Sequence, residues 1–246
     1  MNIERIDTID STNEELVRRG RGGGMPQGLI ATEQTAGKGR LGRSWVSTEG
    51  EGLYMSILIR PDIAVEKAPL LSLIMGLAAA RAVKDVTGIE AKLKWPNDLV
   101  IDGKKVAGIL AASEIKNGNL DFVVIGIGVN MFQKQFPEEI AATATSLKLS
   151  GATFIREDLE NSIVKSFNRY YDIFIHEESF RAFMDEYNSL TVNVGRRVKI
   201  IEPDNEYEAE SMGVNDDGEL IVRTDRGELK TIRSGEVSVR GVYGYI

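Results

Sequence analysis

The chain has 246 residues, of which 37 are Asp or Glu and 30 are Lys or Arg, so its formal net charge at pH 7 is −7. An acidic protein repels nucleic acid, and the absence of cysteine from the sequence excludes disulfides, thiolate metal sites and thiol catalysis. No apolar run approaches the ~20 residues of a membrane-spanning helix, and MNIERIDTID is not a signal peptide. We therefore expect a cytoplasmic protein with one large domain, or one domain and a small appendage.

The first half of the chain alternates between strand and helix patterns. IERIDTID and GLIATEQ predict strands, and STNEELVRR predicts a helix that begins at N-cap residues Ser11 and Thr12. LYMSILIRP predicts another strand, and APLLSLIMGLAAARAVKDV predicts a helix so apolar that it must be buried. The segment 92–130 predicts three or four strands with turns at Asp102-Gly103 and at Asn117-Gly118. This meander is the expected central sheet.

The second half predicts two aromatic-rich helices followed by short strands. The helical faces that we expect to be core are Leu159, Ile163, Phe167, Tyr170 and Phe174, and then Phe180, Phe183, Met184 and Tyr187. His176, the only histidine, has no partner motif, so we give it no catalytic role. After about residue 190, RRVKII, YEAES, ELIVR, ELKTI and EVSVRG alternate as strands and predict a small β-barrel. We therefore expect domains at 1–190 and 191–246.

The segment AGKGRLGRSW, residues 36–45, concentrates three glycines and three cations within seven positions. Gly37, Gly39 and Gly42 fit the dinucleotide spacing G-x-G-x-x-G, but RSWVSTEGEG follows where a helix should open, and the match is an accident of spacing. A Walker loop is excluded because glycine follows Lys38 where Ser or Thr must bind magnesium. The segment predicts an anion-binding loop, with a mobile surface turn as the alternative.

A second informative segment is KLKWPNDLVIDGKKVAGIL. Trp95-Pro96 predicts an extended backbone that presents Asn97 and Asp98 where a strand begins. Two ordinary alternatives remain open: the Asn97-Asp98 pair could be a turn that satisfies its own backbone, and Lys105 could be a solvated hairpin cation.

Taken in order, the motifs resemble those of biotin protein ligases. They are STN at 11–13, EQTAGKGRLGRSW at 33–45, KWPNDL at 94–99, GKKVAGIL at 103–110 and GIGVN at 126–130, followed by the β-rich tail. The resemblance implies an α+β fold, in which a mixed β-sheet flanked by helices, as in class II aminoacyl-tRNA synthetases, precedes an SH3-like C-terminal barrel. It also implies that biotin and ATP give biotinyl-5′-AMP, whose biotin is then transferred to a lysine of a biotin carboxyl carrier protein or domain.

The resemblance further implies roles for individual residues. Biotin would be bound by Ser11, Thr12, Asn13, Gln34, Gly37, Lys38, Gly39, Arg40, Lys105 and Gly108. The nucleotide would be bound by Arg43, Trp45, Asn97, Asn130 and Phe132. The catalytic residues would be Arg40, Lys105 and Asp98, with Asp98 a candidate for Mg²⁺. For Gly108, and for Gly126 and Gly128 beside the nucleotide, a purely structural role is an equal alternative.

Two positions depart from the family pattern. Lys38 stands where the family often has arginine, which keeps the charge but loses the planar fork. No tryptophan occurs at 143–147, where the family often has one for adenine, so stacking on the base is expected from Phe132 or from a residue elsewhere in the chain.

Three other functions compete with the ligase reading. One is a biotin-sensing regulator that binds DNA, which the acidic balance disfavours and for which no recognition helix is found; we expect the monofunctional type, without an N-terminal DNA-binding domain. Another is a lipoate-type ligase on the same scaffold, and a third is a non-catalytic interaction module. The family also implies a homodimer. We expect no DNA and no membrane partner.

Overall fold

The computed structural model describes residues 2–202, 205–234, 238–241 and 245–246. Its first strands are β1 (Ile3–Ile9), β2 (Gln27–Gln34), β3 (Gly52–Ile59), β4 (Lys92–Lys94), β5 (Asp98–Ile101), β6 (Lys104–Lys116) and β7 (Asn119–Asn130). The helices are α1 (Thr12–Arg21), α2 (Leu70–Thr87), α3 (Glu138–Ala141), α4 (Arg156–Glu177) and α5 (Arg181–Leu190). The later strands are β8 (Arg197–Glu202), β9 (Asn205–Val214), β10 (Leu220–Arg223), β11 (Leu229–Ile232) and β12 (Ser238–Gly241).

The first seven strands form one mixed sheet in the order β1-β2-β3-β7-β6-β5-β4. The β1 and β2 strands are parallel, and the other neighbours are antiparallel. The β7 strand lies at the centre, where Gly128 is opposite Tyr54 of β3 on one side and Gly108 of β6 on the other. The predicted mixed sheet is therefore confirmed, with its glycine-rich strand ends side by side.

Helices cover this sheet through the apolar faces that the sequence predicts. The α2 helix is buried along most of its length and ends at Gly88, whose φ of 73° is readily adopted only by glycine. It belongs to a large core that includes the predicted aromatic stripes of α4 and α5, within which Met184 is only partly buried. On another part of the sheet, Leu16 of α1 packs with a smaller cluster that contains Phe122. Buried helices thus hold the sheet rigid around the site.

Residues 95–97 differ from the sequence-based expectation. They do not continue as extended backbone but form the turn of the β4–β5 hairpin, in which Lys94 pairs with Asp98. The Trp95–Pro96 peptide bond is cis. The indole Nε1 of Trp95 donates to the carbonyl of Gly218 at 3.0 Å, which ties the hairpin to the C-terminal sheet.

The last five strands form an antiparallel sheet in the order β11-β10-β9-β8-β12. The sheet confirms the short strands predicted after residue 190, and for EVSVRG it does so over Ser238–Gly241, because residues 236–237 lie outside the described part of the chain. Closure into a barrel and the domain limits 1–190 and 191–246 stay predictions. Over the residues described here, no helix has the length and apolar character that crossing a membrane requires.

Candidate functional site

Two adjoining cavities lie over the glycine-rich ends of β6 and β7. The smaller opens between the start of α1, strand β3 and the loop after β2. Eleven residues predicted for the site line it: Ser11, Thr12, Asn13, Gln34, Lys38, Gly39, Arg40, Trp45, Asn97, Lys105 and Gly108. The larger is a cleft that three more predicted residues line: Arg43, Asp98 and Asn130.

A hydrogen-bond network fixes the polar wall of the smaller cavity. Gln34 Oε1 accepts from the backbone N–H of Thr12 at 2.9 Å and lies 3.1 Å from its hydroxyl. Ser56 Oγ, fully buried in β3, lies 2.7 Å from Thr12 Oγ1 and 2.5 Å from Asn13 Oδ1. The amide of Asn13 donates to the carbonyl of Leu110 at 2.9 Å. Each polar side chain is thus held in place before a ligand arrives, as a small polar ligand requires.

Glycines of β6 and β7 make room for two of these side chains. A Cβ on Gly126 would collide with the amide of Asn13. A Cβ on Gly128 would lie 2.5 Å from the indole of Trp45, and one on Gly108 would lie 2.8 Å from the same ring. The glycines therefore permit the close approach of Asn13 and Trp45 that shapes the smaller cavity.

Cations dominate the larger cleft. Its charged lining residues are Arg40, Arg43, Lys94, Lys105 and Arg240, against the two carboxylates Asp98 and Glu139. The whole chain has a formal net charge of −7, so the positive charge of this cleft is opposite in sign to that of the protein as a whole. A concave surface lined with cations concentrates its field on anions, so the cleft suits a polyphosphate.

Five residues line both cavities: Gly39, Arg40, Trp45, Asn97 and Lys105. At this shared wall, Lys105 Nζ lies 2.6 Å from Asp98 Oδ1, and it lies 5.4 Å from the centroid of the Trp45 ring. The guanidinium of Arg40 donates to Asn97 Oδ1 at 3.2 Å and also to the carbonyl of Ser234. Two cations, Arg40 and Lys105, thus line the wall where the cavities join.

Burial perturbs the charged groups around the wall. Burial lowers the pKa of Arg40, with Arg43 acting in the same direction and Asp98 opposing it. The pKa of Lys94 falls to about 8, mainly through burial and further through neighbouring cations such as Lys105, while Asp98 opposes the change. Burial and the Asp98 carboxylate together raise the pKa of Tyr245, whose hydroxyl donates to Asp98 Oδ2.

The loop that links the cavities has internal order. The backbone N–H of Gly39 donates to the carbonyl of Arg43 at 2.6 Å, and that of Trp45 donates to Gly37 at 2.9 Å. At its tip, Leu41 and Gly42 have φ values of 55° and 72°. As predicted, no α-helix opens at the third glycine. The loop is a tight turn that brings Arg40 and Arg43, which flank its tip, to the cleft.

Two of the predicted site residues line neither cavity. Gly37 is packed behind the loop, where a Cβ would lie 2.6 Å from the carbonyl oxygen of Trp45. Phe132 stacks on Phe154, with ring centroids 5.1 Å apart, and Phe136 is the phenylalanine that lines the cleft. A role for Phe132 in adenine binding stays a prediction.

The structure also adds residues that sequence reasoning missed. Ser56 interrupts the buried run GLYMSILI, and a small polar side chain in such an apolar strand is a signal that sequence reasoning could have used. Lys94 is buried beside buried Leu93, although strand alternation predicts that only one of them faces inward. Arg240 and Tyr245 reach the cleft from the far end of the sequence, so no local pattern could place them there.

The described residues do not form a binding site for Mg²⁺ from their own side chains. Asp98, the candidate ligand, has Lys105 at one oxygen and Tyr245 at the other. The residues described include no group of three or more His, Asp or Glu side chains placed to hold a metal ion. The donor set therefore does not fit a resident Mg²⁺, which prefers several oxygen ligands.

Comparison with known proteins supports a single family. The Biotin/lipoate A/B protein ligase family matches residues 7–130, and the Biotin protein ligase C terminal domain matches residues 194–240. The chain is 32% identical to "Bifunctional ligase/repressor BirA" of Bacillus subtilis, over 95% of this chain and 72% of that protein. It is 40% identical to the biotin--[acetyl-CoA-carboxylase] ligase of Mycobacterium tuberculosis, over 59% of this chain and 54% of that one. The biotin protein ligase of Aquifex aeolicus, solved with biotin and ATP, superposes with a TM-score of 0.84 at 32% identity and covers 98% of this chain and 99% of its own.

Proposed function

The chain belongs to the Biotin/lipoate A/B protein ligase family and is a biotin protein ligase, and on that premise we propose how its residues divide the reaction. The smaller cavity binds biotin, with the ureido head toward Thr12, Asn13 and Gln34, which line its fixed polar wall. The larger cleft binds ATP. The cations that line it neutralise the phosphates.

The main support for assigning biotin to the smaller cavity and ATP to the larger cleft is the wall that the two share. A ligand in the smaller cavity and a ligand in the larger cleft can meet at Arg40 and Lys105, and both cations are available to either ligand. That arrangement suits the joining of two anions, for which the protein supplies alignment and charge stabilisation rather than a nucleophile of its own.

In the first step, a carboxylate oxygen of biotin attacks the α-phosphorus of ATP, and the bond from that phosphorus to the bridging oxygen breaks to release pyrophosphate. Arg40 and Lys105 stabilise the charge that develops on the phosphoryl oxygens. In the second step, the amine of a carrier lysine attacks the acyl carbon, AMP leaves, and the amine loses a proton. We assign the acceptance of that proton to Asp98, whose Oδ1 lies 2.6 Å from Lys105 Nζ.

Several finer assignments complete the proposal. Magnesium enters with ATP as part of the substrate, and neither step requires an ion bound by protein side chains. The acceptor is a biotin carboxyl carrier protein or domain. We further propose a cytoplasmic homodimer that binds no DNA and whose five-stranded C-terminal sheet is SH3-like. Light scattering tests the dimer, and a gel-shift assay with genomic fragments tests the absence of DNA binding.

The ligase assignment is tested by pyrophosphate release. Purified protein with Mg·ATP should release pyrophosphate when biotin is added, and should then label a carboxylase carrier domain. Lipoate is the control, because the same family includes lipoate ligases. Equal pyrophosphate release with lipoate would overturn biotin specificity, and release without transfer to any carrier domain would overturn the second step.

A further inference from the structure

The side chain of Tyr245 contacts two charged groups of the cleft at once. Its hydroxyl donates to Asp98 Oδ2, and its ring faces Lys94, whose Nζ lies 3.9 Å from the ring centroid. Tyr245 itself lines the cleft. It therefore lies among the charged residues of the site although it comes from the far end of the sequence.

The contact with Asp98 extends to Lys105. The two oxygens of Asp98 have separate partners, because Oδ1 lies 2.6 Å from Lys105 Nζ and Oδ2 accepts from Tyr245. With a side chain only 12% exposed, Asp98 has little access to water that could replace either partner. Without the phenol, the carboxylate could turn both oxygens toward Lys105 and move the ammonium at the shared wall.

The contact with Lys94 has a different character. Lys94 is 6% exposed, and within the described ranges no carboxylate lies at ion-pair distance from it. The face of an aromatic ring attracts a cation but carries no net charge. A carboxylate in this place would cancel the charge of Lys94 and repel phosphate. A tyrosine ring holds the ammonium while leaving its charge available to an anion in the cleft.

The neighbouring residue anchors Tyr245 at this position. Ile246 packs against the turn between β5 and β6, where a Cβ on Gly103 would lie 3.1 Å from Ile246 Cδ1. It also lies over Gly241, where a Cβ would collide with the Ile246 backbone. The absence of side chains at Gly103 and Gly241 therefore lets Ile246 pack at this position, and this packing holds the adjacent Tyr245 beside Asp98.

We propose that Tyr245 is a positioning residue for adenylation: its hydroxyl orients Asp98 so that Lys105 is held at the shared wall, and its ring holds Lys94 in the cleft. The proposal rests on the ligase function above. The two contacts act on different quantities. The hydroxyl affects the rate of the chemical step through Lys105, and the ring affects the binding of ATP phosphates through Lys94.

Two substitutions in the full chain separate these contacts. Tyr245→Phe removes the hydroxyl and keeps the ring, whereas Tyr245→Leu removes both. The matched controls are Tyr207→Phe and Tyr207→Leu, because Tyr207 of β9 also faces a lysine, with Lys230 Nζ 5.0 Å from its ring centroid, yet lines neither cavity. The measurements are the single-turnover rate of biotinyl-AMP formation at saturating ATP, the KM for ATP, and the melting temperature.

We expect Tyr245→Phe to lower the single-turnover rate about tenfold, the scale of one hydrogen bond to a charged group, with the KM for ATP unchanged. Tyr245→Leu should show the same loss of rate and, in addition, a KM for ATP about fivefold higher, the scale of a lost cation–π contact. Both Tyr207 variants should match wild type.

A wild-type rate in Tyr245→Phe would overturn the role of the hydroxyl. Equal KM values in Tyr245→Phe and Tyr245→Leu would overturn the role of the ring. Losses as large in the Tyr207 variants would show a general effect of the C-terminal sheet and would also overturn the proposal. The wild-type protein reports separately on the ligase function, because failure to form biotinyl-AMP with biotin would refute that function itself.

Discussion

Replacing Lys94 with methionine should stabilise the protein while weakening the binding of ATP. Lys94 is 6% exposed, and its pKa falls from the ordinary 10.5 to about 8. Each tenfold change in proton affinity corresponds to about 1.4 kcal/mol, so keeping Lys94 charged at pH 7 costs the folded state about 3 kcal/mol. Methionine has nearly the same shape and removes that cost, but it also loses the contact with the Tyr245 ring, worth ~1–2 kcal/mol.

The net expectation at pH 7 is therefore a gain of about 1–2 kcal/mol, or a melting temperature higher by roughly 2–8 °C for a chain of this size. The sign of the pH dependence follows from the lowered pKa. Below pH 8 the lysine is charged in both folded and unfolded states, and the full cost is present. Between pH 8 and 10.5 the folded state releases its proton and the cost declines, so the advantage of Lys94→Met should shrink across that window.

Thermal unfolding at pH 7.0 and pH 9.5, monitored by circular dichroism, measures both effects. Lys92→Met is the matched control, because Lys92 lies on the same short strand but is half-exposed and paired with Glu90. The KM for ATP should rise about tenfold in Lys94→Met alone, since one phosphate cation is lost. A lower melting temperature in Lys94→Met at pH 7, or a difference that does not change with pH, would refute the reasoning.

Three further predictions concern the shared wall and its loop. Lys105→Ala should slow single-turnover adenylation by about 10²–10³-fold, the effect of losing one preorganised charge stabiliser, whereas Lys104→Ala on the exposed side should not; an unchanged Lys105→Ala rate would remove Lys105 from the site. Residues 37–44 should exchange amide hydrogens faster in the free enzyme than with biotinyl-AMP bound, because the few hydrogen bonds within the loop open more often when no anion holds its cations, and equal protection would mean that the loop is a preformed cradle. Arg40→Gly should accordingly form the adenylate but release it, which labelling of an unrelated lysine-rich protein would detect. Gly128→Ala should weaken biotin binding at least tenfold by displacing the indole ring, and calorimetry showing wild-type affinity would contradict that packing argument.

Local patterns predicted most of the elements but could not predict their assembly. The alternation of IERIDTID, the apolar run of α2 and the aromatic stripe of α4 follow from periodicity, and all three elements are present. The insertion of β7 between β3 and β6 depends on pairing between distant segments, which no local window contains.

The candidate site shows the same division. The motifs that resemble the family supplied most of the cavity lining, because those residues lie in short continuous segments. The contact of Arg40 with Ser234 spans 194 residues and that of Tyr245 with Asp98 spans 147, and neither segment has a motif that names its partner. The burial of Lys94 could not be predicted from the sequence of β4. The ring that faces it belongs to Tyr245, which is distant in the chain, and the alternation of residues within β4 contains no information about that contact.

The distribution of the site along the chain has a consequence for protein synthesis. The residues that line the smaller cavity end at Gly128, whereas those of the larger cleft extend to Tyr245. At a translation rate of about 5–20 residues per second, Val239, Arg240 and Tyr245, the three cleft residues that follow Ala144, leave the ribosome roughly ten seconds after Gly128. A nascent chain should therefore be able to enclose biotin before its ATP cleft is complete, and we expect no biotinyl-AMP to form until those three residues have left the ribosome. Ribosome-arrested chains that stop before residue 194 should retain biotin without releasing pyrophosphate, and pyrophosphate release from them would contradict this order of assembly.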